Sequence, residues 1–216
     1  MMKPEEVAGY LKENPEFFEH YAELLAEIFI PHPHGGRAIP ISERQIVTLR
    51  ERNRQIESKL REVIQYGEEN DAISEKVHRI CVALLAAPEL RGVLNAVYLN
   101  LREDFAVPHV ALRLWRGGNR GDMPEFRPVS GTAREFAESL AHPYCGGRAM
   151  VDTGSWFGEA SAHLRSFSYL PLREEGVFGL LALASEDPQR FFPEMGTLYL
   201  KRLAELVSAA LARHIK

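Results

Sequence analysis

No polar side chain interrupts Val177 to Ala184, V-F-G-L-L-A-L-A. A strand with one wet face alternates apolar and polar residues, so an unbroken apolar run of this length needs cover on both faces of its sheet. Ser166 to Leu172, S-F-S-Y-L-P-L, precedes it across R-E-E-G, which reads as strand, tight turn, buried strand. An amphipathic helix follows, expected to start at Pro193 and to bury Leu198, Leu203, Leu206, Val207, Ala210 and Leu211. These elements call for a layered domain with helices on one side of a sheet and further structure on the other.

The residues before this hairpin extend that domain back to Pro88. Leu90, Val93, Leu94, Val97, Leu101 and Phe105 have helical spacing. His109 to Trp115 alternates, with Val110, Leu112 and Leu114 on one face and Ala111, Arg113 and Trp115 on the other. W-R-G-G-N-R-G-D is a turn-rich loop. Phe126 to Val129 reads as a short strand, Thr132 as the cap of a helix reaching His142 with Glu135 at the capping-box position, Pro143 to Val151 as a turn and weak strand, and Gly154 to Leu164 as loop or short helix.

A different pattern governs the first 86 residues. Residues 1–30 form a small helical module, split into two helices because Asn14 can cap a helix whose first residue is Pro15. Residues 31–40, P-H-P-H-G-G-R-A-I-P, read as a linker that cannot continue a helix. From Ile41 to Ala86 there is no proline and one glycine, Gly67, so one long helix is expected. Ile46, Leu49, Asn53, Ile56, Leu60 and Val63 alternate spacings of three and four, as the a and d positions of a coiled coil do. The pattern resumes at Asn70, Ile73, Val77, Ile80 and Leu84 after a slip of three residues, a stammer near Gly67. A parallel homodimer would pair Asn53 and Asn70 with their twins and bring Arg52 to Glu57; a monomeric surface helix is the alternative. Beyond Asn70 the stripe widens to Cys81 and Leu85, which suits docking on a sheet.

Composition narrows the function. The 216 residues suffice for one domain and an appendage, and two catalytic domains do not fit. A net charge of -4 gives no basic field for nucleic acid. The run Arg37, Arg44, Arg50, Arg52, Arg54, Lys59 and Arg61 is interleaved with Glu43, Glu51 and Glu57 and has no aromatic platform, so it reads as a charged coil face. Two distant cysteines, no signal-like start and no long apolar stretch make a cytoplasmic location, away from membranes, the expectation.

The helix feeding a mostly antiparallel sheet, the strand G-V-F-G-L-L-A-L-A-S and the returning C-terminal helix resemble a GAF domain. N-P-E-F-F at Asn14, P-H-P-H-G-G at Pro31, S-E-R-Q-I-V-T-L-R-E-R-N-R at Ser42, P-Y-C-G at Pro143 and R-F-F-P-E-M-G-T at Arg190 together resemble the bacterial family known as domain of unknown function 484, across nearly the whole chain. The resemblance supplies no catalytic residues and no cofactor. It implies an α+β fold at residues 87–216 with a six-stranded sheet, dimerisation through the flanking helices, and a small-molecule pocket on the opposite face.

Alternation and position nominate Arg113, Trp115, Cys145, Arg148, Trp156 and Phe157 for that pocket, where aromatic walls and an arginine suit a planar or anionic ligand. The same aromatics can instead fill the space. Cys145, in a turn beside Arg148, is the candidate nucleophile of a thiol enzyme resembling a methionine sulfoxide reductase, while Cys81 is expected in the core. His32 and His34 can face one side of an extended chain, but no third ligand stands near them, and no metal site is assigned. The leading expectation is a non-enzymatic cytoplasmic homodimer that senses a small molecule or presents a surface to an unknown protein partner. The alternatives are the thiol enzyme and a ligand-free scaffold.

Overall fold

The structure is a computed structural model that describes residues 3–32, 35–118, 120, 122–194 and 196–215. It divides into two compact units, Met1–Glu68 and Glu69–Lys216.

In the first unit, α1 (Pro4–Glu13), α2 (Phe17–His20) and α3 (Ala22–Glu27) precede an antiparallel pair, β1 (Phe29–His32) and β2 (Gly35–Pro40). Three helices thus stand where two were expected, and the residues read as a linker pair with each other. Asn14 does not cap a helix start. It closes α1, its backbone N–H and its side-chain Nδ2 both donating to the Tyr10 carbonyl at 2.9 Å, a use of the residue that satisfies one of the orphan acceptors at a helix end. Tyr10, Phe17, Phe18 and Tyr21 form a small ring cluster, with Phe17 stacked on Tyr21 at 4.8 Å. Neither α1 nor α2 buries a residue.

Helix α4 (Ile41–Ala86) has the bounds expected from the absence of proline. Its apolar residues change role along its length. Ile46, Leu49, Ile56, Leu60, Val63 and Ile64 are all at least half exposed, whereas Ile80 and Leu84 are buried in the domain core. Ile73 and Val77 are half-buried. The slip in the heptad count therefore separates a stripe open to solvent from a stripe that docks on the domain. Asn70 falls on the second side, where its carbonyl accepts from the Tyr199 hydroxyl at 3.2 Å.

The second unit holds α5 (Leu90–Glu103), β3 (His109–Leu114), α6 (Gly131–Ser139), β4 (Tyr144–Gly146), β5 (Ser166–Arg173), β6 (Val177–Ser185) and α7 (Leu198–Ala212). Among the described residues the sheet is four-stranded and antiparallel, in the order β3-β6-β5-β4, where six strands were implied. Phe126 to Val129 adds no strand because Pro124 opens a 3-10 turn, Pro124–Phe126, and Pro128 has no donor for a ladder. The start of α6 is capped by Ser130, whose Oγ accepts from the Ala133 amide at 3.3 Å, with Thr132 already inside the helix. It stops before His142. Helix α7 starts at Leu198 rather than Pro193, after Gly196, whose backbone freedom disfavours the extra turn.

Side-chain alternation splits the sheet between two cores. Val110, Leu112, Leu114, Leu170, Leu172, Leu181 and Leu183 join α5, α7 and the C-terminal part of α4. Ala111, Phe167, Tyr169, Leu180, Ala182 and Ala184 join α6 and a run of 3-10 turns, Val151–Ala162. This is why Val177 to Ala184 has no polar residue. Gly179 allows close approach of β3, since a Cβ there would meet the Arg113 carbonyl at 2.8 Å and Leu114 Cδ2 at 2.7 Å.

Candidate functional site

The face of the sheet under α6 and the 3-10 run is where a pocket was expected. It is lined by small residues on the central strand and large ones beside them. Phe167 lies opposite Ala184 and Tyr169 opposite Ala182 across the β5–β6 ladder, so the alanines leave room that the rings occupy. Phe167 and Tyr169 stack nearly parallel at 6.3 Å. Tyr144 stacks on Tyr169 from β4, Phe136 of α6 meets Tyr169 edge-on at 5.4 Å, and Phe157 of the 3-10 run covers Phe167 at 6.2 Å.

Tyr169 is the centre of this arrangement. It is fully buried, and its hydroxyl lies 2.6 Å from Thr153 Oγ1 and accepts from the Met150 amide at 3.1 Å. Burial pushes its pKa up, the hydrogen bonds opposing that in part, so the phenol stays neutral. The tyrosine thus pins the start of the 3-10 run over the sheet. A hydroxyl so placed without partners would cost about 1–3 kcal/mol.

Of the six nominated residues, four stand on this face. Arg113 is buried, its Cζ 5.2 Å from the Trp156 ring and its Nη1 donating to the Leu112 carbonyl at 2.8 Å. Burial lowers its pKa, with Arg127 adding to the effect and with Tyr98 and Glu125 opposing it. Trp115 donates from Nε1 to the Val177 carbonyl at 3.0 Å and carries Arg134 over its ring. Trp156 and Phe157 are half-buried.

Cys145 and Arg148 do not join them. Cys145 lies in β4 opposite Ser168, one residue out of phase with Tyr144 and Tyr169, so its side chain enters the core on the other face. Its thiol is buried, donates to Ser168 Oγ at 3.5 Å, and has its pKa raised by that burial. Arg148 is exposed. The expected accessible thiol beside an arginine is therefore absent from this arrangement. Cys81 is half-buried, not in the core, and lines a groove of about 120 Å³ with Leu84, Leu85, Leu206, Ala209, Ala210 and Arg213.

Among the described residues no three His, Cys, Asp or Glu side chains converge as a metal site, and no helix is long and apolar enough to cross a membrane. His34 lies outside the described residues, and the side chain of His32 is not among those described.

The model of the family "Protein of unknown function, DUF484" matches residues 1–216. The chain belongs to this family. A Salmonella typhimurium relative, "Uncharacterized protein YigA", is 24% identical over 221 residues, spanning 97% of this chain and 91% of that protein. Among solved structures, the GAF domain of a phosphoenolpyruvate-protein phosphotransferase from Coxiella burnetii superposes with a TM-score of 0.51 at 17% identity, covering 65% of this chain and 93% of that one. The corresponding GAF domain from Acinetobacter gives 0.48 at 18%, covering 64% and 92%. The Coxiella match gives this DUF484 chain a GAF-like fold.

Several residues that shape the DUF484 site escaped the sequence. Tyr169 and Phe167 share one face of β5, and the alternation S-F-S-Y was the available signal. On the other side of the sheet, Glu125, buried and accepting at 3.0 Å from the hydroxyl of Tyr98, which packs on the other core, carried no signal, because a single acidic residue after a proline reads as surface.

Proposed function

We propose that this protein is a non-enzymatic homodimer of GAF type that works by presenting protein surfaces, with its sheet face filled by its own side chains. One observation carries the reading: Ile46, Leu49, Ile56, Leu60 and Val63, spaced as a coiled-coil seam, are each half or more exposed in a single chain. Five large apolar residues in one stripe make a surface that water disfavours by about 1.5–3 kcal/mol for each side chain fully buried on pairing. A second copy offers the same stripe, as an isologous contact requires. Asn53 at an a position favours two strands in register; in one chain it donates to Glu57 Oε1 at 2.9 Å.

The groove between α4 and α7 supports pairing through the helices that flank the sheet, because exposed Leu85 lines it from α4. On the opposite face, the stack of Phe167, Tyr169, Tyr144, Phe136 and Phe157 favours a surface-presenting role over small-molecule sensing. Burial of the Cys145 thiol and its raised pKa weigh against thiol chemistry.

Native mass spectrometry of the full chain tests the reading. The expected result is a dimer with no added mass, converted to monomer by Leu49→Lys with Ile56→Lys, the two changes weakening association by roughly 100-fold or more. A wild-type monomer sinks the proposal. A retained small molecule would return the sheet face to ligand sensing.

A further inference from the structure

The N-terminal module and the first part of α4 carry opposite charge and leave complementary surfaces open. From Lys3 to Ile28 seven glutamates stand against Lys3 and Lys12, a net of minus five. From Arg44 to Arg61 six basic residues stand against Glu51 and Glu57, a net of plus four. In a parallel dimer two such basic stretches run side by side, and like charges at that spacing repel.

The coil also has more exposed apolar surface than its seam uses. With Ile46 at a, the b and e positions are Val47, Arg50, Arg54, Glu57, Arg61 and Ile64. Val47 and Ile64 are 49% and 52% exposed, so this flank has an apolar residue at each end and, between them, three arginines against Glu57. On the module, Val7, Tyr10 and Tyr21 are exposed, and helices this short are not stable alone with their apolar sides in water. Both surfaces are open at once in a single chain. Among the described side chains of a single chain neither surface is covered.

We infer that in the dimer the acidic, aromatic module of one copy docks on the basic b/e flank of the other copy's α4. The inference rests on the dimer reading above. Docking would cover the rings of the module with Val47 and Ile64 and set its glutamates against Arg50, Arg54 and Arg61, offsetting the repulsion between the paired coils.

The test uses the full chain with p-benzoylphenylalanine in place of Ile64, or in place of Ser58 at the outer f position as control, and equal parts of ¹⁵N-labelled and unlabelled protein annealed before irradiation. The expected result is crosslinks from position 64 to peptides of α1 to α3 in mixed-isotope pairs. In an Arg50→Glu, Arg54→Glu, Arg61→Glu background the yield should fall by about tenfold or more, the size expected if each exposed pair contributes up to ~1 kcal/mol, while native mass spectrometry still finds a dimer. A dimer whose links are absent, confined to one isotope, as frequent from position 58, or unchanged by the charge reversal overturns this inference and leaves the dimer standing. A monomer overturns both.

Discussion

The two parts of α4 carry large aliphatic residues at similar density and place them differently. From Ile46 to Ile64 the large aliphatics are exposed, Ile56 at 64%; after Glu68 one side of the helix is enclosed, Ile80 at 0% and Leu84 at 3%, while Val82 and Leu85 stay exposed. The later stripe finds the sheet and its helices within the same chain, so its burial stabilises the domain. The earlier stripe has no such layer among the described residues, and under the dimer proposal a second copy supplies it. A heptad pattern alone does not distinguish these cases, because both kinds of contact select residues three and four apart.

Paired substitutions sharpen this contrast most. Ile80→Ala should cost about 2–5 kcal/mol of domain stability through the cavity it leaves, read by urea denaturation. Ile56→Ala should leave the domain transition of the monomer within about 0.5 kcal/mol of wild type and lower dimer affinity. Equal effects on the domain would erase the distinction between the two stripes.

Next in size is the filled sheet face. Tyr169→Phe removes only the hydroxyl and leaves Thr153 and the Met150 amide short of a partner, with an expected loss of about 1–3 kcal/mol. Hydrogen exchange should then rise in the 3-10 run and not in α4. Uniform loosening would contradict the pinning role assigned to Tyr169.

The cysteines give a smaller, kinetic contrast. Cys81 is half-buried, and Cys145 is buried with a raised pKa, so iodoacetamide should modify Cys81 first under native conditions, as peptide mass spectrometry would record. Reversal of that order would reopen thiol chemistry at Cys145.

The smallest effect is in alkali. Burial raises Cys145, Tyr98 and Tyr169 above their ordinary values of 9.0 for the thiol and 10.0 for the phenols. The stability tied to their neutral forms is fully present below those values and is lost as pH rises through the raised ones. Domain stability should therefore decline above about pH 9, and Cys145→Ala with Tyr98→Phe should flatten the decline. A flat wild-type profile to pH 11 would contradict it.

Much of the fold was legible from the sequence where one physical requirement dominated. The apolar run Val177 to Ala184 could only be a doubly covered strand, and freedom from proline gave the bounds of α4. Legibility failed where several short-range options competed. Asn14 suits either end of a helix, Thr132 and Ser130 both suit a cap, and Pro124 turned an expected strand into a 3-10 turn. For the site, alternation placed Arg113 and Trp115 on the correct face. It could not phase Cys145, because the position of the three-residue strand β4 against β5 depends on pairing with distant residues.

One consequence of the stacked rings concerns evolution. Reopening that space would require replacing several of Phe136, Tyr144, Phe157, Phe167 and Tyr169 by smaller residues, and a single buried aromatic truncated to alanine costs about 3–5 kcal/mol, a large share of the 5–15 kcal/mol that holds a typical domain together. A face filled by five rings cannot readily be emptied one step at a time. Selection acting on such a protein is left with the outside of the molecule, where changes are cheap, and descendants should diverge in the surfaces they show while keeping the rings.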